Sequence, residues 1–126
     1  MIMNGTNIFL FAVKKVPVLI YEILNKNKLT SDDIDLFVFH QASYFILEVI
    51  RKKMKLPADK VFLNIQDYGN SVSSSIPLAL YDAQKKGVLK KGMKVLLAGF
   101  GIGNSWGATI IDYEKNVYLK KILWYL

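Results

Sequence analysis

The sequence contains no cysteine. This excludes disulfides, thiolate metal sites and a cysteine nucleophile within these 126 residues. Histidine occurs once, at His40, so no metal centre can be built from several imidazoles. Arginine also occurs once, at Arg51, and every other basic residue is lysine. Lysine lacks the planar fork that reads bases or grips phosphate in two places. No apolar run approaches the ~18 residues that span a bilayer. The longest candidate, Ile8 to Val13, is cut by Lys14 and Lys15. The first residues show no basic, apolar, small-residue succession of a secretory leader, and a cytoplasmic protein is the default expectation.

What is present is an ordinary globular balance of 52% apolar and 21% charged residues, long enough for one domain with a core. The net charge is +7, from 17 basic and 10 acidic residues. Such an excess attracts acidic partners, but a solvated lysine-rich surface accounts for it without nucleic acid.

Apolar residues at Phe9, Val13, Val16, Ile20 and Ile23 recur at helical spacing. Pro17 lies inside that pattern and predicts a kink or an early break. Thr30 and Asp33 have capping-box spacing. Ile34 to Phe39 reads as a buried strand that ends at His40. Ser43 caps a helix over 44–55 whose apolar face is Ile46, Leu47, Ile50 and Met54. Val61 to Ile65 reads as a second strand, and Tyr68-Gly69-Asn70 as a turn. The following serines open a third helix, which Gly87 stops. A third strand covers 94–100 and a fourth 106–113, joined by a short turn and therefore antiparallel. Alternation of this kind predicts an α/β layer with a mixed, mostly parallel sheet and flanking helices.

In such sheets functional groups gather at the carboxyl ends of strands. Three segments fall there: His40-Gln41-Ala42-Ser43, Tyr68-Gly69-Asn70-Ser71, and Gly99 through Gly107. His40 can donate a hydrogen bond or shuttle a proton, or simply be satisfied by backbone. Asn70 after Gly69 is also ordinary turn chemistry. The glycine segment does not fit a dinucleotide turn, because the sixth position from Gly99 is Asn104 and from Gly101 is Trp106. Its glycines suit positive φ or a close backbone approach to a ligand. Ser71 and Ser73 to Ser75 lack a GxSxG frame and read as small residues packed at a helix start.

Taken together, the three segments resemble the 3-oxoacyl-[acyl-carrier-protein] synthase III family. His40-Gln41-Ala42 is similar to its HQA motif. Tyr68-Gly69-Asn70-Ser71 with Ser74-Ser75-Ile76-Pro77 resembles its GN(T/S)xxxSxP segment. Gly99-Phe100-Gly101 through Ser105-Trp106-Gly107 resembles its GFGxGxxWG ending. The likeness covers about residues 3–113.

The resemblance implies an α/β fold that is the C-terminal half of a thiolase-like fold, over residues 1–115, with a tail over 116–126. It implies an acyltransferase that condenses an acyl-CoA with malonyl-acyl-carrier-protein. No cofactor is implied beyond these substrates, and no metal. The nucleophilic cysteine would lie in an N-terminal half, absent here, and the full-length enzyme would be a homodimer. His40 and Asn70 would hydrogen-bond the malonyl thioester oxygen. The amide near Ile102, within Gly101 to Gly103, would bind the acyl oxyanion, and Phe100 would line the cysteine pocket. The family commonly has asparagine where Ser43 stands and a basic residue where this chain has Phe45. Arg51, Lys52 and Lys53, further along the same helix, become the candidate contact for the carrier protein. The implied strand order is 3-2-1-4-5. It places the first and third strands found here on either side of a missing strand.

Overall fold

The computed structural model describes residues 5–101 and 105–114. The expected tail over 116–126, with Val117, Tyr118, Ile122, Leu123 and Trp124, lies outside them, as do Ile102 and Gly103.

Helix α1 spans Gly5–Lys26 and buries Ala12, Val16, Pro17, Ile20 and Leu24 along one face. Of the kink or early break expected at Pro17, the break does not occur, since the helix runs through it. Proline has no N–H, so the carbonyl four residues earlier loses its helical donor. That carbonyl belongs to Val13, and the Lys53 ammonium donates to it at 2.9 Å. After the helix, Asp33 Oδ2 accepts from both the Thr30 amide, at 2.7 Å, and the Thr30 hydroxyl, at 2.9 Å. These bonds hold a 3-10 turn over Ser31–Asp33.

Strand β1, Leu36–Phe39, is buried along its whole length. Its residues divide by the two-residue period of a strand. Phe37 and Phe39 join a core with α1 and with α2, Tyr44–Lys53. Leu36 and Val38 join a second core with Ala79 and Ala83 of α4, Ser75–Lys85. Strand β3, Lys94–Gly101, divides in the same way: Leu96, Ala98 and Phe100 face the first core, and Val95 the second. A sheet covered on both faces explains why these segments are almost continuously apolar. Full burial of one such large apolar side chain contributes roughly 1.5–3 kcal/mol.

Ser43 caps α2 as expected, its Oγ accepting from the Ile46 amide at 3.1 Å. Strand β2 is shorter than expected, only Val61–Phe62. The Asn64 amide leaves the ladder and donates to Gln41 Oε1 at 3.1 Å. Ile65 then starts a short helix, α3, Ile65–Tyr68. A 3-10 turn over Val72–Ser74 precedes α4. Past the end of α4, Gly87 takes φ +73°, the left-handed geometry that ends a helix.

The sheet order is β2-β1-β3-β4, with β4 spanning Ser105–Asp112. The gap expected between β1 and β3 is absent. They pair directly and in parallel, from Leu36 opposite Val95 to Phe39 opposite Ala98. Each brings alternating apolar residues to the same two cores, so direct pairing completes both layers. The outer edges of the sheet belong instead to β2 and β4. Strand β4 runs antiparallel to β3, as expected, from Lys94 opposite Asp112 to Gly101 opposite Ser105. No helix among the described residues is long and apolar enough to cross a membrane.

Candidate active site

His40 directly follows β1, and its amide donates to the Ala98 carbonyl at 2.8 Å. This extends the ladder by one residue and holds the imidazole at the carboxyl end of the sheet. The Phe100 ring stands edge-on to it, with centroids 5.4 Å apart and planes at 82°. On its other flank the Ser75 hydroxyl oxygen lies 2.6 Å from His40 Nδ1. Burial pushes the imidazole below its ordinary titration range, because a charged ring loses hydration there, and a hydrogen bond to the Val72 backbone offsets part of this. Burial therefore favours the neutral form of the ring.

Asn70 arrives from the loop after α3. Gly69 turns the chain there with φ +63°, open to glycine at little cost. The Asn70 Oδ1 accepts from the Val72 amide at 3.0 Å. Among the described residues its Nδ2 makes only a long contact, 3.5 Å, to the Ala42 carbonyl, and retains donor capacity.

His40 and Asn70 line one cleft of about 550 Å³, together with Ile8, Ala42, Val72, Ser75, Gly99, Phe100 and Gly101. Gly99 and Gly101 act there as strand residues. The positive φ expected of the glycine segment is not found at Gly99, Gly101 or Gly107. An added Cβ at Gly101 would meet open space, so what this glycine contributes is volume.

Gln41 is almost fully buried beneath the site. Its Nε2 donates to the carbonyls of Phe39, at 2.8 Å, and Phe62, at 3.3 Å, while Oε1 takes the Asn64 amide. The side chain thus replaces the ladder where β1 and β2 stop pairing. Sequence reasoning missed this latch, and it missed the Ser75 contact. The only sequence signal for either was membership of a motif, since Ser75 is 35 residues from His40.

None of Arg51, Lys52 and Lys53 lines the cleft. Arg51 forks onto Glu48, Nε to Oε1 at 2.8 Å and Nη2 to Oε2 at 2.9 Å, and its Nη1 donates to the Leu56 carbonyl. Lys53 holds Val13. Lys52 alone of the three is mostly in solvent, 71% exposed and 4.0 Å from Glu48.

Residues 24–113 match the family model for the C-terminal part of 3-oxoacyl-[acyl-carrier-protein] synthase III. The chain belongs to this family. The resemblance drawn from the three motifs is thereby borne out. The beta-ketoacyl-[acyl-carrier-protein] synthase III of Nitratidesulfovibrio vulgaris is 42% identical over 111 residues, covering 88% of this chain and 34% of the relative. That of Microcystis aeruginosa is 44% identical over 111 residues, covering 88% and 33%. Among solved structures, the Thermus thermophilus synthase III superposes with a TM-score of 0.87 at 39% identity, over 91% of this chain and 36% of that one. The Pseudomonas aeruginosa synthase III gives 0.88 at 34% identity, over 92% and 37%. These likenesses establish the thiolase-like synthase III fold. The chain spans about a third of the length of the curated relatives it matches.

Proposed function

We propose that this chain supplies the decarboxylation half-site of a condensing enzyme that makes a 3-oxoacyl-carrier-protein from an acyl-CoA and malonyl-carrier-protein, as in fatty acid synthesis. The observation that carries the reading is that a neutral imidazole and a carboxamide line the same cleft. In the proposed step the bond between the malonyl carboxylate and its methylene breaks, and carbon dioxide leaves. The electron pair moves onto the thioester oxygen as an enolate. His40 and Asn70 donate hydrogen bonds to that oxygen. The enolate carbon then attacks the acyl carbon of an acyl-cysteine, and the cysteine thiolate leaves.

Fixed donors aimed at developing charge are worth roughly 3 kcal/mol each. Neutral donors suit the cleft because they bring no formal charge to bury. The chain has no cysteine, so the acyl-enzyme step needs a thiol from outside these residues. Alone, the chain is inactive in condensation. Its partners are acyl carrier protein, a coenzyme A thioester and a cysteine-bearing half, within a cytoplasmic homodimer. Phe100 lines the acyl-cysteine pocket, and the turn from Gly101 through Ile102 to Gly103 offers an amide to the acyl oxyanion.

The test is malonyl-carrier-protein decarboxylation by this chain assembled with a cysteine-bearing N-terminal half. His40→Ala and Asn70→Ala each lower the rate by at least a hundredfold, and unchanged rates in both end the assignment. The absence of cysteine also favours a second reading, a non-catalytic half that pairs with an N-terminal domain or holds carrier protein. Binding without turnover in the same assembly selects it.

A further inference from the structure

The Ser75 hydroxyl lies between two groups at the end of β1. Its oxygen is 2.6 Å from His40 Nδ1 and accepts from the Gln41 amide at 3.3 Å. An amide can only donate, so one Oγ lone pair is taken. The hydroxyl proton then needs an acceptor, and Ser75 is only 2% exposed, which removes bulk water from that role. His40 Nδ1 is the one acceptor within reach among the described hydrogen bonds of Ser75.

The distance agrees with this direction. N–H donors approach an oxygen to ~2.7–3.2 Å. A separation of 2.6 Å is short for Nδ1–H donating to Oγ. The reverse arrangement, with Nδ1–H donating to Oγ, would leave a buried hydroxyl proton unpartnered.

We propose that Ser75 is a positioning residue that fixes the tautomer of His40. Its hydroxyl donates to Nδ1, so the ring proton resides on Nε2. Nε2 thereby becomes the one N–H donor of the ring. Its consequence for decarboxylation rests on the donor role assigned to His40, but the tautomer itself does not. Ser75 opens α4, so the helix start sets the hydroxyl, and the ladder bond from His40 to Ala98 sets the ring.

His40 is the only histidine, so a chain labelled with nitrogen-15 histidine gives long-range proton–nitrogen correlations from a single ring. In the unaltered chain near pH 7.5 the expected spectrum has a protonated, pyrrole-like nitrogen at Nε2 and a pyridine-like nitrogen at Nδ1. Ser75→Ala is expected to lose that separation, with the two nitrogens moving toward a common average. Ser75→Thr keeps a hydroxyl and is expected to restore it. A pyrrole-like Nδ1, or two averaged nitrogens in the unaltered chain, overturns the proposal. So does a Ser75→Ala spectrum that matches the unaltered one. The unaltered chain alone can refute the idea, so a Ser75→Ala chain that fails to fold does not shelter it. No turnover enters this measurement, which keeps its outcome separate from that of the decarboxylation assay.

Discussion

The Lys53 ammonium donates to the Val13 carbonyl at 2.9 Å, across the packing of α2 on α1. This carbonyl is the one that Pro17 leaves without its helical partner. Lys53→Met is therefore expected to destabilise the chain by about 0.5–1 kcal/mol, the net worth of a partly exposed hydrogen bond. Pro17→Ala returns an N–H to the helix, and in that background the Lys53→Met penalty is expected to shrink toward zero. The double-mutant cycle in urea checks this, since groups that share a partner are non-additive. Equal Lys53→Met penalties in both backgrounds would refute it.

Gln41 offers a larger effect. Its amide satisfies the Phe39 and Phe62 carbonyls and the Asn64 amide, all away from water. Gln41→Leu keeps the volume but strands these groups, each at roughly 1–3 kcal/mol. The expected loss is about 3 kcal/mol in urea denaturation, since the less well placed bonds contribute less. A loss below 1 kcal/mol would mean that the latch is not structural.

The burial of β1 was legible because Leu36 to Phe39 is apolar without alternation, which in a short segment signals a strand covered on both faces. That His40 and Asn70 line one cleft was legible because they sit in recognisable motifs at strand and loop ends. What was not legible depended on groups distant in sequence. Pro17 predicts a kink or an early break, and the ammonium that satisfies the Val13 carbonyl is contributed from α2, 40 residues beyond it. Leu63-Asn64-Ile65 has strand composition, but the Gln41 side chain captures the Asn64 amide and ends pairing after Phe62. Direct pairing of β1 with β3 is likewise set by the cores that both strands share, not by any local pattern.

The basic residues of α2 separate into structural and free groups. Arg51 holds Glu48 and Leu56, so Arg51→Met is expected to lower the denaturation midpoint. Lys52 is largely solvated. Lys52→Glu is expected to leave the midpoint unchanged while weakening carrier-protein association several-fold, measured by titration of the assembled enzyme. Unchanged affinity would remove α2 from the carrier contact.

His40 ties stability to pH in a direction that can be worked out. Burial lowers its folded pKa below the ordinary value of 6.5. Between those two values the unfolded chain binds more protons than the folded one, so stability falls as pH falls through 6.5. Above 6.5 both states are neutral and this contribution is fully retained. The urea midpoint of the unaltered chain is expected to drop between pH 7.5 and 5.5 by more than that of His40→Gln. A parallel pair of profiles would mean that the ring is hydrated, contrary to its place against Phe100 and Ser75.

Val72 carries strain that a substitution can release. Its φ is +54°, in the left-handed region that a β-branched residue rarely occupies. The residue is 70% exposed, so little burial holds it there. What does hold it is its amide, which donates to Asn70 Oδ1 and so orients the carboxamide at the cleft. Asparagine tolerates this geometry, whereas the left-handed conformation costs other residues roughly 1–2 kcal/mol. Val72→Asn is therefore expected to raise stability by about 1 kcal/mol, with the backbone bond to Asn70 intact. Val72→Pro cannot adopt that φ and removes the amide, so it is expected to destabilise the chain and to abolish decarboxylation in the assembled enzyme. Urea denaturation of the two variants decides the matter: destabilisation by Val72→Asn would mean that the left-handed geometry is not what this position requires.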